Sequence, residues 1–289
     1  MKRFYFISTD HLEQALWFRD DQDFVAGMNY VAIVAYTHKR VVVYAFILMS
    51  NHVHFVLYGE YKDVLAFITD FKIRYSRYYG VRYGVKNMFR RNGVDIQELS
   101  SDGDDPKRVI AYTLMNCVAA NICTHPSQYP WCSGDVAFQV LKPEGKRIGD
   151  YSARALRRIL HTGDTDLPEN WIIGERGFIL PQNYMPAKAI ENIFKTPKTL
   201  NYFFNTSSKA KLRLSSDKNL PAFTDQTICK ALPELLRSLF GKKDFSELTP
   251  DEKTECLRQI RYRFSSDITQ AARVCGLSYE EAAKLVDSV

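Results

Sequence analysis

The 289-residue sequence has no Cys-x-x-Cys pair and no apolar run long enough to serve as a secretory or membrane-spanning segment. Its N-terminal MKRFYFIST is too short in apolar residues for a leader and reads as a first strand. The six cysteines (117, 123, 132, 229, 256 and 275) are scattered, which points to a reducing, cytoplasmic setting with no membrane partner. A zinc site from Cys117, Cys123, His125 and Cys132 is disfavoured: on a shared helix Cys117 and Cys123 stand about 120° apart. Charge of one sign is in only small excess, net +6 with a pI near 8.9, so a nucleic-acid partner is allowed but not required. Aromatics, by contrast, are plentiful at 17 Tyr and 18 Phe, and the 46% hydrophobic content supports one large or two modest cores.

The most informative stretch is Leu48 to Gly59, LMSNHVHFVLYG. As a β-strand it places His52 and His54 on one face and Val53, Phe55 and Leu57 on the other. Two neutral imidazoles side by side are a candidate pair of metal ligands; a pair of hydrogen-bonded surface histidines is the plainer alternative. The preceding run, Arg40 to Met49, is β-branched and aromatic like a buried strand. The two strands form a hairpin through Ser50-Asn51, a turn that sets the register of the histidines.

Around this hairpin, Arg3 to Ser8 reads as a strand and Asp20 to Ala35 as a helix with acidic residues at its start. Lys62 to Tyr79 reads as a helix with Val64, Ile68, Phe71 and Tyr75 on its apolar face. Its other side and the segment beyond carry Lys72, Arg74, Arg77, Arg82, Lys86, Arg90 and Arg91, interleaved with Tyr78, Tyr79 and Tyr83. Such a stretch can neutralise phosphates and stack on unpaired bases, or it can be a solvated face with its tyrosines in the core. A further strand or extended edge is expected within Asn87 to Leu99, broken by Asn92-Gly93. After the loop Ser100 to Pro106, a helix from about Pro106 to Ile122 carries Tyr112 and Asn116 one turn apart on one face. There the phenol can stand beside a metal and the amide oxygen can complete its coordination; a core tyrosine and an ordinary helical asparagine are the alternative.

The second half is less patterned. Tyr151 to His161 reads as a short amphipathic helix, prolines punctuate the segment to Tyr202, and Asn205 to Leu220 reads as a linker. From Pro221 the pattern is helical. Asp267 to Val286 resembles a helix-turn-helix about Gly276-Leu277-Ser278, although its second helix carries Glu280, Glu281 and Asp287 against Lys284 alone.

Met49-Ser50-Asn51-His52-Val53-His54 resembles the M-P-N-H-V-H signature of the REP-associated tyrosine transposases, which are single-tyrosine HUH endonucleases. Tyr112-Thr113-Leu114-Met115-Asn116 resembles that family's Y-I-x-x-N segment, Tyr129-Pro130-Trp131-Cys132-Ser133 its Y-x-W-S-S, and Phe18 to Asp23 its F-x-D-x-x-D entry to the first helix. The likeness covers roughly the first half of the chain. It implies an α+β fold, a ferredoxin-like antiparallel sheet with helices on one side, here followed by a helical C-terminal region. It further implies that His52 and His54 bind Mg²⁺ or Mn²⁺ with Asn116 as third ligand. Tyr112 would then attack a phosphodiester of single-stranded DNA to leave a 5′-phosphotyrosine and a free 3′-OH. Two positions depart from the pattern: Cys117 replaces the proline after the asparagine, and Ser50 replaces the proline of the hairpin turn.

The resulting expectation is a catalytic domain over 1–140, a connecting region over 141–204, a linker over 205–220 and a helical, helix-turn-helix-like domain over 221–289. The expected activity is metal-dependent endonuclease and strand-transfer chemistry on single-stranded or hairpin DNA, with Lys72, Arg74, Arg77, Arg82, Lys86, Arg90 and Arg91 on the DNA. The alternative is a domesticated protein that binds hairpins or operators without cutting. An RNA-recognition module on the same fold is disfavoured because its strand would carry aromatics where His52 and His54 stand. Monomer and homodimer both stay open.

Overall fold

Short β-branched and aromatic runs alternate with longer helical patterns in the first hundred residues, and the chain follows them. β1 (Arg3–Ser8) leads to α1 (Asp21–Thr37), β2 (Val42–Leu48), β3 (Val53–Gly59), α2 (Tyr61–Tyr83) and β4 (Asp95–Glu98). The strands form one antiparallel sheet in the order β2-β3-β1-β4, the ferredoxin-like arrangement expected. The computed structural model describes residues 1–9, 16–85, 94–100, 105–139, 144–208 and 223–287. The described residues fall into two units: 1–9, 22–49, 53–85, 94–100, 105–139 and 144–208 in the first, and 16–21, 50–52 and 223–287 in the second.

In the first unit the strand period decides the two faces. Phe55 is registered with Ile7, and its ring meets Phe67 and Phe71 of α2, so this face is the apolar core. α1 packs beside α2 through Tyr30 and Tyr78. The two helices of the ferredoxin-like unit thus share a side, as the resemblance implies. His54 and its cross-strand partners Ser8 and Ile47 belong to the opposite face, together with Phe6. α3 (Asp105–Leu114) is added over that face, where Tyr112 meets Phe6 and His54. A single turn, α4 (Asn116–Ala119), follows it.

The Tyr129 to Ser133 segment extends the sheet along β2. Leu48 N–H donates to the Trp131 carbonyl at 2.9 Å, Ser133 N–H to Phe46 at 3.1 Å, and the Tyr129 hydroxyl to the Leu48 carbonyl at 2.8 Å. Trp131 stacks on Phe24 with centroids 4.9 Å apart. Beyond it lie the short strands β5 (Lys146–Arg147) and β6 (Ile172–Ile173) and the helices α5 (Ala153–Leu160), α6 (Ala187–Phe194) and α7 (Pro197–Thr206). This region is anchored on α1 by the buried Asn29, whose amide donates to the Ile159 and Gly177 carbonyls and accepts from Ile179 N–H.

The second unit is helical: α8 (Asp225–Phe240), α9 (Pro250–Phe264), α10 (Ile268–Cys275) and α11 (Tyr279–Asp287). Thr224, Thr249 and Asp267 cap the first three, Thr249 in a reciprocal capping box with Glu252. Gly276 ends α10 at φ 71°, a left-handed conformation that suits glycine, and Leu277 N–H then returns to the Ala272 carbonyl. Ile228, Leu236, Leu257, Ile260 and Ala271 form the core of this unit.

Candidate active site

His54 is held in the middle of β3, only 4% exposed, with the Phe6 ring stacked on its imidazole at 5.4 Å. Tyr112 approaches from α3. Its half-buried ring stands edge-on to Phe6 at 5.8 Å and to His54 at 6.4 Å, with an interplanar angle of 69° to the latter. Sequence spacing therefore brings together two of the four expected catalytic and metal-binding residues in one place, an imidazole from a strand and a phenol from a helix.

Asn116 stands one turn further on, in a helix that does not run unbroken to Ile122 as its sequence suggests. α3 stops at Leu114, and Met115 separates it from α4. The Asn116 amide donates to the Tyr112 and Thr113 carbonyls, both at 3.0 Å, and so takes over acceptors that a continuing helix would use. With its N–H groups directed to carbonyls, its side-chain oxygen is the atom suited to a cation. α4 closes at Asn121, at φ 56°, with Ile122 N–H on the Cys117 carbonyl and Asn121 N–H on that of Val118. The reversal sets the Cys123 thiol against that of Cys117, whose ionisation is pushed up by this contact and by burial. The two cysteines thus do not share the helix on which the 120° separation was reckoned. His125 is engaged elsewhere, its ring nitrogens facing Ser127 and Asn201.

His52 stands in the turn before β3 and not in the strand, because the β2–β3 ladder ends at the Leu48 and Val53 pair. Its Nδ1 lies 2.9 Å from the Asn51 side-chain oxygen. That contact makes Nδ1 the protonated nitrogen and leaves Nε2 as the ligand atom. The turn itself, within the second unit, is held at several points. The Ser50 carbonyl accepts from Trp17 and Phe18 N–H at 2.8 and 3.0 Å, and the Ser50 hydroxyl donates to Asp225 Oδ2 at 2.6 Å. Asp225 also accepts from Arg273 Nε at 2.8 Å and Nη2 at 3.1 Å, and from Gln270 at 3.0 Å. Burial works against its ionised form, but Arg273 and these donors outweigh it and hold its carboxyl below the usual range. Sequence reasoning missed this carboxylate; the only sign of it was a hydroxyl where the transposase signature has proline.

The expected DNA-contacting stripe divides once its partners are known. Arg77 is exposed on α2 and Lys72 is half-buried. Arg74 bonds Asp70 and Asp164, and Arg82 bonds the fully buried Asp23, which also accepts from Tyr78 at 3.0 Å and Tyr83 at 2.8 Å. Tyr78 and Tyr79 are buried, so the expectation that they could stack on bases gives way to core packing, which their spacing with Phe71 and Tyr75 also satisfies. Arg74, Arg77 and Arg82 line a cleft of about 630 Å³ with Tyr30, Asp70 and His161. Lys86, Arg90 and Arg91 lie outside the described residues.

Among the described residues no three His, Cys, Asp or Glu side chains gather as a metal site. A cation here would draw on two imidazoles and one amide oxygen, leaving positions open for substrate oxygens, a mixed donor set that Mn²⁺ accepts more readily than Mg²⁺.

No family model and no curated protein matches the chain. It is similar to a solved structure described as a REP-associated tyrosine transposase bound to a REP hairpin, at a TM-score of 0.35 and 16% identity, covering 48% of this chain and 82% of that one. Among the described residues no helix is long and apolar enough to cross a membrane.

Proposed function

We propose that the protein is a transposase-like DNA endonuclease and strand transferase working on single-stranded or hairpin DNA in the cytoplasm. The observation that carries this reading is the Tyr112 ring set against His54 on the sheet face that α3 covers. In this reading Tyr112 Oη attacks a backbone phosphorus, the 3′-oxygen leaves with a proton, and a 5′-phosphotyrosine and a free 3′-OH result. A phenol is a weak nucleophile at neutral pH; Mg²⁺ or Mn²⁺ bound by His52, His54 and Asn116 would supply polarisation of the phosphate. Phe6 fixes the planes of both rings, and Asn51 fixes the His52 tautomer. Arg77 is the strongest remaining candidate for a phosphate contact outside this centre, and the α10–α11 pair is a candidate second DNA-binding element.

Incubating the chain with labelled single-stranded and hairpin oligonucleotides and Mn²⁺ tests the proposal. A protein-linked product that Tyr112→Phe abolishes, with oligonucleotide binding retained, supports it. Binding without any adduct favours the non-cleaving alternative.

A further inference from the structure

Four hydrogen bonds converge on the Asp225 carboxylate, and one comes from the residue that begins the His52 turn. Arg273 and Gln270 fix both carboxylate oxygens, and the Ser50 hydroxyl takes a remaining lone pair at 2.6 Å. Asp225 is 5% exposed, so its geometry is set by packed helices and not by solvent. The Ser50 carbonyl is fixed by the Trp17 and Phe18 amides, and Gln226 donates to the Phe18 carbonyl at 2.8 Å. Two residues on, His52 has only the Asn51 oxygen to orient its ring in the hydrogen bonds described above, outside the strand ladder. A turn that has left the sheet needs some other source of rigidity if its imidazole is to be placed to a fraction of an ångström.

We infer that Asp225, acting through Ser50, is a positioning residue for His52, so that the C-terminal helices are part of the metal-binding machinery and not an appended module. This rests on the reading of His52 as a ligand and extends it. The hydroxyl at position 50 replaces the stiffness a proline would give with a tether to a distant carboxylate. Gln270 and Arg273 lie on α10, the first helix of the helix-turn-helix-like pair, so a ligand that shifts α10 acts on the same carboxylate that holds the turn.

The test is Mn²⁺ titration of the full chain by calorimetry, with amide exchange at Trp17 and Phe18 as an independent report on the turn. Ser50→Ala removes the tether and leaves the Asp225 and Arg273 pair in place. It should weaken Mn²⁺ binding roughly 10-fold, as loss of an orienting partner does, and speed exchange at both amides. Ser50→Thr, which keeps the hydroxyl, should restore both. Unchanged Mn²⁺ affinity in Ser50→Ala overturns the inference, as does a loss that Ser50→Thr shares. If the wild-type chain takes up no Mn²⁺, the metal reading itself fails, and slow exchange in Ser50→Ala then overturns the tether separately.

Discussion

The Tyr112 ring stands edge-on to the His54 ring, with centroids 6.4 Å apart, while Phe6 touches both. If His54 is a ligand, His54→Ala should abolish measurable Mn²⁺ uptake, a larger loss than the roughly 10–100-fold cost of removing an orienting neighbour. Tyr112→Phe, which keeps the ring and its packing, should bind Mn²⁺ nearly as wild type. Calorimetric titration of the two variants checks this, with thermal melts to confirm that both fold.

Asp225→Asn should lower the stability of the helical unit by about 3 kcal/mol, because Arg273 is left as a partly buried cation without its counter-charge. The pH dependence has a definite sign. The folded carboxyl lies below its ordinary value, so its contribution is fully present above about pH 3.9 and is lost as pH falls through the depressed folded value. Urea melts followed by circular dichroism should show wild type losing this stability in acid below about pH 4 and Asp225→Asn lacking that component.

Much of the fold was legible and some of the site was not, for physical reasons. β1 falls on Arg3–Ser8 as read, since strand alternation and flanking polar residues are local signals. Tyr112 and His54 meet because the ferredoxin-like order and one helical turn suffice to place them. The break at Met115 was hidden: no glycine or proline marks it, and its cause is an asparagine amide that captures two carbonyls. The ion pairs of Arg74 and Arg82 were equally hidden, because Asp164 and Asp23 lie far away in sequence. A stripe of basic residues shows charge, and only the fold shows which charges are already matched.

Asp23 offers a test of that matching. Buried beneath Tyr78, Arg82 and Tyr83, it should be among the costliest residues of the first unit to replace. Asp23→Ala is expected to destabilise by about 3–5 kcal/mol, leaving the guanidinium and two phenols without their shared acceptor. Tyr78, whose ionisation is raised by burial and by Asp23, should titrate closer to an ordinary phenol in the variant, read by ultraviolet difference spectra.

The cysteines should divide by environment when the native chain meets iodoacetamide. Cys132 is fully buried, and burial pushes its thiol far up; Cys117 is raised by the Cys123 contact and by burial. Both should resist alkylation at pH 8. Cys229, pushed up to about 12 by burial, should react slowly despite partial exposure. Mass spectrometry of digests after timed labelling reads all three.

The most direct measurement is peptide mapping of the covalent product formed with a single-stranded oligonucleotide and Mn²⁺. The account predicts that the mass of a 5′-phosphorylated fragment resides on the peptide containing Tyr112 and on that residue. An adduct on any other tyrosine, or cleavage that proceeds undiminished in Tyr112→Phe, would contradict it.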